Sequence, residues 1–369
     1  MFKKILCLLI SALFLGIAPL HASEHSPFTE IFVEGDKELN GIFDLSIEYG
    51  PDGIGWMAYS RVSIPKHVST HLAKSTDQGA SWHYVGVVNQ SHAQTVHIGG
   101  KTFEGVWRYE TPSLVYDPWD VPEKRWKLYS ERYYVLPPFK KNNTLHGEGW
   151  IEYKTARSPE GPWSGPVCLF GQKKHNCKIQ PNALHPSLSR NMYYNEIGTL
   201  AYNGVLYMSL DASPTASGLG EWEKRAVVLF SSLDHGNSWR YNGVLTDYRD
   251  ASSFGYFALT GTSLVEHNSK PYLLVTPSGK KGLLVKNRGH DGCYLVGFHN
   301  INGAKLERDS DGKLHIIKNI PPEYNSGGLC DYHKENRNGG ILFSQIDFNK
   351  NPVLFGVYNT GWTAEGYSR

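Results

Sequence analysis

Three acidic residues, Asp44, Glu110 and Glu196, stand at matching positions of a pattern that recurs along the chain. Each opens a short segment of small, hydroxyl and apolar residues, whereas a fourth copy opens on Thr260 instead. If these segments converge, three carboxyl groups share one partly dry cavity and cannot all ionise at their ordinary pKa values. Carboxyl groups with separated pKa values are what acid–base hydrolysis of a glycosidic bond requires.

The elements that must position these acids are marked by a second recurring phrase, a short apolar and aromatic run that ends in a hydroxyl residue. Its five copies end at Ser60, Ser130, Ser209, Thr276 and Ser344, which are 70, 79, 67 and 68 residues apart. A period of this length in strand-like sequence indicates one supersecondary unit used five times around an axis. We therefore predict an all-β fold, a five-bladed β-propeller.

Each repeat reads as four strands, and the acids lie on the first, innermost one. The fifth repeat has room for only one strand after its recurring phrase, at 353–358, so we predict that its missing strand comes from 30–34. Pairing of the N- and C-terminal strands would close the ring without an open edge. Because a helical apolar period is absent, we expect little helix. The predicted innermost strands are 43–49, 109–116, 195–202, 259–265 and 329–333.

The first 22 residues have the features of a signal peptide. Lys3 and Lys4 form a basic region, residues 5–17 an apolar region, and Ala22 offers a small residue for cleavage. The apolar run is short for a bilayer span, and no later segment is a better candidate. We expect a secreted or periplasmic protein whose single propeller domain occupies residues 23–369.

Charge and histidine spacing exclude several classes of partner. Without the two lysines of the signal peptide, the formal net charge falls from +2 to 0. A neutral chain gives no electrostatic reason to expect nucleic acid or an anionic membrane as partner. We also expect no cofactor and no bound metal. Four histidines have spacings that do not indicate a metal site and are predicted at the surface: His67, His71, His92 and His97.

Four cysteines follow the predicted signal peptide: Cys168, Cys177, Cys293 and Cys330. An even count in an exported protein favours two disulfides. The first two would close a small loop, and the last two would join the fourth repeat to the fifth. Four free buried thiols are the alternative, and the absence of Cys-x-x-Cys spacing argues against zinc.

A recurring turn joins the outer strands of the first and third repeats. In the pattern S-x-D-x-G-x-x-W, the Asp can accept backbone N–H bonds, the Gly can take a positive φ, and the Trp can pack under the turn. The pattern resembles the Asp-box of sialidase-like propellers, and residues 156–163 resemble a turn of family 43 glycosidases. We predict a structural role at the rim for these residues: Ser75, Asp77, Gly79 and Trp82, then Ser232, Asp234, Gly236 and Trp239.

Aromatic residues cluster just before the innermost strands. At a propeller mouth they would stack on the apolar faces of sugar rings, and we predict that they bind a carbohydrate substrate. Packing between blades is the alternative. The predicted residues are Trp107, Tyr109, Tyr193, Tyr194, Tyr256 and Phe257.

Five repeats with an acid on the innermost strand of each of the first three resemble the five-bladed glycosidase superfamily, which includes families 43, 32 and 68. The resemblance implies that Asp44 is the base or nucleophile, that Glu110 orients the substrate and tunes pKa values, and that Glu196 is the general acid. It implies glycoside hydrolysis as the activity and an oligo- or polysaccharide as the substrate.

Two other functions stay open. Asp44 is not followed by Pro, and Glu110 stands where the family has Asp; a non-catalytic glycan-binding propeller would show such departures. A sialidase is the second alternative, because Y-E-T-P at 109–112 resembles its Y-R-I-P motif. There, Glu replaces the arginine that would bind a sugar carboxylate, which leaves Arg225 and Arg288 as possible carboxylate ligands.

Overall fold

A computed structural model shows five β-sheets with their innermost strands around a central channel, so the predicted five-bladed propeller is confirmed. The predicted signal peptide lies outside the described residues. The structure describes residues 28–37, 40–139, 144–191, 193–214, 224–280, 290–320, 326–333, 340–347 and 349–362.

The strands, numbered in chain order, account for most of the described residues. They are β1 Thr29–Ile31, β2 Val33–Glu34, β3 Ile42–Tyr49, β4 Gly55–Ser63, β5 His67–Ser75, β6 Trp82–Asn89, β7 His92–Ile98, β8 Lys101–Tyr116, β9 Trp126–Val135, β10 Thr144–Ala156, β11 Val167–Phe170, β12 Tyr193–Tyr202, β13 Val205–Ser213, β14 Ala226–Ser232, β15 Arg240–Thr246, β16 Tyr256–His267, β17 Lys270–Lys280, β18 Cys293–Asn300, β19 Lys305–Leu306, β20 Ile316–Ile320, β21 Ser326–His333, β22 Gly340–Asp347 and β23 Leu354–Asn359.

The five sheets are the blades. Their strand orders are β2-β6-β5-β4-β3, β11-β10-β9-β8-β7, β12-β13-β14-β15, β16-β17-β18-β19 with β20 also on β18, and β21-β22-β23-β1. The five predicted innermost strands lie within β3, β8, β12, β16 and β21, and the recurring phrase forms the second strand of each blade. Blade two has an additional hairpin, because β7 pairs with the first half of β8.

Helices are few in the described part of the chain, as predicted. None of them has the length and apolar character needed to cross a bilayer. The helical segments are α1 Pro181–Leu184 and α2 Tyr248–Ser253, with 3₁₀ turns at Pro122–Lys124, Lys173–His175 and Pro186–Leu188.

The two ends of the described chain close the ring. Thr29 pairs with Asn359 and Ile31 with Val357, so β1 completes blade five. The predicted closing strand at 30–34 was too long, because Val33 pairs instead with Trp82 at the outer edge of blade one. The N-terminal segment therefore leaves one blade for the next and ties the two together.

The cores lie between blades as well as within them. Tyr59 and Tyr129 stand in the same position of the recurring phrase, Tyr207 stands one position earlier, and each is at most 1% exposed. Tyr59, for example, belongs to a buried cluster with Leu342 and Val357 of blade five. Burial of one such side chain contributes about 2 kcal/mol, which explains why an apolar aromatic phrase recurs.

Polar contacts fix the register of neighbouring innermost strands. In three blades, a side chain on the innermost strand accepts a backbone N–H from the next blade around the ring. The pairs are Ser46 with Leu114 N–H (3.0 Å), Ser113 with Thr199 N–H (2.9 Å) and Asp331 with Ile47 N–H (2.6 Å).

Blade three has Gly198 at the position equivalent to Ser46. A Cβ there would lie 2.8 Å from both the backbone N of Leu264 and the Cα of Ser263. Blades three and four therefore approach too closely for any side chain at this position, and the hydroxyl contact is replaced by direct backbone packing.

Both predicted disulfides are present. Cys168 and Cys177 close a loop at the outer edge of blade two, with Cα atoms 4.7 Å apart. Cys293 and Cys330 join blades four and five, with Cα atoms 6.5 Å apart. The alternative of four free thiols is therefore wrong.

The two recurring turns have equivalent hydrogen bonds. Asp77 accepts the backbone N–H of Ser81 (2.9 Å) and Asp234 that of Ser238 (2.8 Å). The following glycines, Gly79 and Gly236, have φ values of 79° and 89°. The Trp at the end of each turn is buried, so each turn anchors an outer hairpin.

Candidate functional site

A β-bulge interrupts each innermost strand where the sequence pattern placed the acids. In blades one to four the bulge contains a residue with φ between 47° and 54°, and these residues are Asp44, Thr111, Glu196 and Gly261. This left-handed region favours glycine, and another residue there costs on the order of 1 kcal/mol. Blades one and three therefore hold an acid in a strained backbone conformation.

The bulges correct one predicted alignment. The residue of blade two that matches Asp44 and Glu196 is Thr111, and Glu110 precedes the bulge. The interblade contacts of Ser46 and Ser113 give the same register. The sequence pattern aligns Glu110 with Asp44 and Glu196 because all three are acidic. The structure instead aligns Thr111 with these two acids, because the three residues share a positive φ.

Asp44 is 2% exposed and is anchored to blade five. Its Oδ1 accepts the backbone N–H of Leu329 (3.1 Å), and its own N–H donates to Ser344 Oγ (3.0 Å). A Cβ on Gly328 would lie 2.5 Å from the same Oδ1, so the strand of blade five runs directly beside the carboxyl group. An N–H donor of this kind stabilises the ionised carboxylate.

Ser60 joins the bulges of blades one and two. Its Oγ donates to Asp44 Oδ2 (3.4 Å) and accepts the backbone N–H of Thr111 (3.1 Å). Ser344 makes the equivalent contact from blade five to Asp44. The hydroxyl that closes the recurring phrase therefore holds the bulge of the next blade, which accounts for its recurrence at these two positions.

Glu196 is 4% exposed and lies beside polar groups of blades three and four. Its Oε1 is 3.4 Å from Asn195 Nδ2 and 3.8 Å from His290 Nε2. Its backbone carbonyl accepts the hydroxyl of Thr262 (2.7 Å), which fixes the bulge against blade four.

A buried ion pair adjoins Glu196. Asp211, which is fully buried, pairs with Arg225 and stands opposite Asn195 in the β12–β13 ladder. Burial raises the pKa of Asp211, and the charge of Glu196 raises it further; Arg225 and His290 act in the opposite direction. The bulge of blade three is thus surrounded by two carboxyl groups and Arg225 of the same blade and by His290 of blade four.

Glu110 is half-buried and stands directly opposite Glu131 in the β8–β9 ladder. Glu131 is 1% exposed and accepts the hydroxyl of Tyr193 from blade three. Directly opposed carboxylates repel each other, so blade two places a second pair of acids at this end of the channel.

Sequence reasoning missed Glu131, Asp211 and His290. The first two follow the recurring phrase by one and two residues, where a charged side chain continues a strand that is otherwise buried. That contrast was the available signal. His290 carried none, because it precedes β18 outside any recurring pattern.

The predicted sugar-stacking residues Trp107 and Tyr109 are packed within blade two. Trp107 and Tyr109, 5% and 7% exposed, lie 4.3 Å and 5.6 Å from the guanidinium of Arg132, which also pairs with Glu152. Both rings, Arg132 and Glu152 belong to blade two, so this packing lies inside one blade and differs from the alternative of packing between blades.

The other four aromatic residues differ in exposure. Tyr194 donates to Asn182 Oδ1 (2.9 Å), and Tyr256 belongs to the core of blades three and four. Tyr193 is half-buried on Glu131, and Phe257 is 37% exposed. Phe257 therefore offers the most accessible ring face of the six.

One predicted surface histidine is buried, and one cluster of acidic and histidine side chains has the spacing of metal ligands. His71 is 3% exposed and contacts Asp36, so its prediction as a surface residue was wrong. Asp117, Asp120 and His235 place ligand atoms within 4.8 Å of one another. The ammonium of the buried Lys127 lies 2.6 Å from Asp120 and 3.6 Å from Asp117, and supplies the positive charge there.

Comparison with known proteins gives similarity of fold. The chain matches no protein-family model and no curated protein sequence. The Bombyx mori GH32 beta-fructofuranosidase has a TM-score of 0.52 at 11% identity, over 87% of this chain and 60% of that chain. A mutant of that enzyme in complex with sucrose has a TM-score of 0.51.

Two further structures match over a similar share of this chain. An exo-beta-1,3-galactanase from Clostridium thermocellum has a TM-score of 0.53 at 10% identity, over 89% of this chain and 61% of that chain. The catalytic domain of a Coprinopsis cinerea GH62 alpha-L-arabinofuranosidase has a TM-score of 0.51 at 12% identity, over 90% and 96%. This chain thus spans about 60% of the first two proteins and nearly all of the third. The fold is shared with glycoside hydrolases.

Proposed function

We propose that this protein is an exported glycoside hydrolase that cleaves a glycosidic bond by carboxyl acid–base chemistry where the innermost strands begin. The observation that carries the proposal is the placement of Asp44 and Glu196 on equivalent strained bulges. Backbone strain at functional groups is a common feature of active sites. The fold shared with glycoside hydrolases supports the same reaction class.

In the proposed reaction, Glu196 donates a proton to the glycosidic oxygen as the bond to the anomeric carbon breaks. Asp44 acts as a carboxylate, either attacking that carbon or taking a proton from the attacking water. Glu110 orients the sugar. The predicted role of Phe257 as a stacking surface belongs to the same proposal.

A neutral sugar fits this site better than sialic acid does. Recognition of a sugar carboxylate needs arginines that are not already neutralised. Three arginines of blades one to three are held by carboxylates of the protein, and Arg288 lies outside the described residues. The pairs are Arg61 with Asp36 (3.0 Å), Arg132 with Glu152 (3.5 Å) and Arg225 with Asp211.

A glycan-binding propeller without catalysis is the second candidate. The observation that favours it is the position of Asp44, which is 2% exposed and bonded to the backbone of blade five. In that case the acids of the bulges would serve only to hold neighbouring blades together.

The test is sugar release by the mature protein from a panel of plant, bacterial and host glycans. We expect release by the wild type and a loss of at least about a hundredfold in Glu196→Gln, as for removal of a general acid. Glu160→Gln, an exposed acid on a rim turn, is the matched control. Binding to a glycan without any release would favour the second candidate, and equal release by both variants would remove Glu196 from the mechanism.

Export is tested separately from activity. N-terminal sequencing of the protein recovered from the periplasm or medium should begin at Ser23. Recovery of the full chain with Lys3 and Lys4 still present would contradict the predicted signal peptide.

A further inference from the structure

We propose that Arg108 is a positioning residue that holds two turns together at the mouth of the channel, and that these turns bind the sugar unit next to the one that is cleaved off. The turns are residues 63–66 of blade one and residues 136–139 of blade two, and together they are called the lip. The inference deepens the proposed function and rests on it, because it adds a second sugar-binding surface to the same site.

Both turns lie at the end of the channel where the innermost strands begin. β4 runs antiparallel to β3, and β9 runs antiparallel to β8, so β4 and β9 both end at this mouth. In the turn after β4, the N–H of Lys66 donates to the carbonyl of Ser63 (3.3 Å). In the turn after β9, the N–H of Phe139 donates to the carbonyl of Leu136 (2.8 Å). Each is therefore a hydrogen-bonded four-residue turn.

The guanidinium of Arg108 joins the two turns, and this side chain is 4% exposed. Its Nε donates to the carbonyl of Lys66 (3.1 Å), and its Nη2 donates to the carbonyls of Phe139 (2.8 Å) and Pro65. Within the described part of the chain, the acceptors of Arg108 are these three carbonyl oxygens, and none is a carboxylate. The planar fork of an arginine fixes several acceptors at once, which a lysine ammonium does not.

Two further contacts keep the lip in one arrangement. Phe139 has a φ of 62°, a left-handed conformation that persists in a residue other than glycine where the surroundings impose it. Its carbonyl is one of the acceptors of Arg108. The ammonium of Lys66 lies 5.6 Å from the centre of the Phe139 ring, so a cation–π contact joins the same two turns. The lip is therefore preorganised before any ligand binds.

The tips of both turns are apolar and exposed. Ile64 is 39% exposed, and Pro65, Pro137 and Pro138 are exposed as well. Adjacent exposed apolar residues mark binding surfaces, whereas isolated ones do not. Since the rings of neutral sugars have apolar C–H faces and the four tip residues carry no charge, a sugar ring is the ligand that fits this surface beside the proposed site.

The lip continues the proposed site outward along the strands. Arg108 and Glu110 are on the same face of β8, because the bulge follows Glu110, and two residues of a strand span about 7 Å. Ile64 follows Ser60, the hydroxyl beside Asp44, by four residues, which is on the order of 13 Å along the chain. This distance is longer than one sugar ring. A ring bound at the acids therefore does not reach the tips, and the next unit of the glycan does.

The first test measures binding without cleavage. The probes are oligosaccharides of one sugar unit and of two or more, taken from the glycan that the panel identifies, and the protein is Glu196→Gln. We expect the second unit to increase the affinity, and Ile64→Ser in the same background to reduce this gain about tenfold by removing apolar contact. Leu233→Ser, at a 69% exposed position on an outer turn of blade three, is the matched control and should keep the gain. Isothermal titration calorimetry measures it, and an equal gain in Ile64→Ser would overturn the inference.

The second test asks whether Arg108 acts through the lip. Arg108→Lys keeps the charge but loses the fork, so it should reduce the gain from the second unit as Ile64→Ser does. The double variant should lose no more than the larger of the two single losses, because both changes remove the same contact. Arg249→Lys, an exposed arginine, is the control. Additive losses would show that Arg108 does not act through the lip.

Kinetics separate this inference from the proposed function. In the active protein, Ile64→Ser should raise KM for an oligosaccharide about tenfold more than KM for an aryl glycoside of one sugar, with kcat little changed. Equal rises would place the lip at the cleaved sugar and contradict the inference. A wild type that cleaves nothing contradicts the proposed function, whereas loss of binding in Ile64→Ser would still support the lip. A protein that binds none of the glycans contradicts both.

Discussion

Asp44 and Glu196 occupy equivalent bulges in blades one and three, with φ values of 47° and 54°, but their carboxyl groups have different neighbours. Asp44 accepts a backbone N–H from Leu329 and is close to a hydroxyl. Glu196 lies between His290 and the buried Asp211. The N–H donor beside Asp44 stabilises its carboxylate form, whereas Glu196 stands among a second acid and two basic side chains.

In the proposed mechanism, the same backbone feature serves two chemical roles. The bulge fixes where each acid stands, and its neighbours differ between the two blades. Blade five supplies the N–H of Leu329 to Asp44, whereas Glu196 has a second acid, Asp211, in its own blade and His290 from blade four. Unequal environments for paired carboxyl groups are the usual basis of acid–base division of labour.

The largest expected difference between Asp44 and Glu196 appears when the leaving group of the substrate is varied. Asp44→Asn should lose about a thousandfold in kcat/KM on every substrate, because its carboxylate acts on the anomeric carbon. Glu196→Gln should lose a similar factor on natural glycosides. It should recover most of the loss on aryl glycosides whose leaving group needs no proton.

Steady-state kinetics with a series of aryl glycosides checks this division, with circular dichroism to verify folding. Recovery in Asp44→Asn rather than in Glu196→Gln would reverse the two roles. Equal losses of both variants across the series would show that the environments do not separate the acids.

Asp331, a buried acid on the innermost strand of blade five, affects the stability of the fold through its pKa. Asp331 borders a channel cavity of about 30 Å³ lined by all five innermost strands. Burial, opposed by hydrogen bonds from Ser263 and Ile47, raises the pKa of Asp331 from 3.8 to about 7. Since the folded-state pKa is above the unfolded one, the stabilisation is complete below about pH 4 and is lost as the pH rises to 7.

Asp331→Asn should remove this dependence, because a neutral amide has no proton to lose. Between pH 4.5 and pH 8, the free energy of unfolding of the wild type should fall relative to that of the variant by roughly 3 kcal/mol. Urea unfolding at both pH values measures it. Parallel pH dependence in the two proteins would show that Asp331 stays ionised when folded.

The seam between blades three and four is expected to tolerate little added volume. Gly198→Ala would place a methyl group 2.8 Å from the backbone of Leu264, and should cost about 2 kcal/mol of stability. Gly86→Ala in β6 meets no atom within 4 Å and is the matched control. Thermal unfolding of the two variants compares them; equal midpoints would mean that the blades can separate without cost.

The smallest expected effect concerns the corrected alignment of blade two. Because Glu110 precedes its bulge and faces Glu131, Glu110→Gln should lower kcat/KM only about tenfold, by weakening substrate orientation. Thr111→Val, at the position equivalent to Asp44, should leave kcat within about twofold, since the bulge is held through the backbone N–H of Thr111. A loss in Glu110→Gln as large as that in Asp44→Asn would restore Glu110 to equal rank.

The propeller could be predicted from the sequence because the same residue types recur wherever the blades make the same contact. Aromatic residues such as Tyr59 pack against a neighbouring blade, and the closing hydroxyls of Ser60 and Ser344 hold the bulge of the next blade. Each of these contacts needs a particular residue type, so the repeat can be recognised from the sequence alone. Closure of the ring followed from the missing strand of the fifth repeat.

The site was only partly predictable. Asp44 and Glu196 were placed correctly on equivalent positions, but the choice between Glu110 and Thr111 depends on contacts such as that of Ser46 with Leu114, which lie far apart in sequence. His290 comes from an irregular segment, where no periodic pattern reports the position of a side chain. The aromatic residues alone do not distinguish a sugar platform from structural packing, because both require the same apolar rings.

Because β1 and β23 close the ring, the propeller cannot complete its fold until β23 has been synthesised. Ile31 must wait for Val357, more than 300 residues later, before blade five is complete. Until then, β1 has no partner strand, and blades one and four flank a gap. A nascent chain would therefore be a target for proteases and chaperones until its last strand emerges, and contacts of such long range predict slow folding.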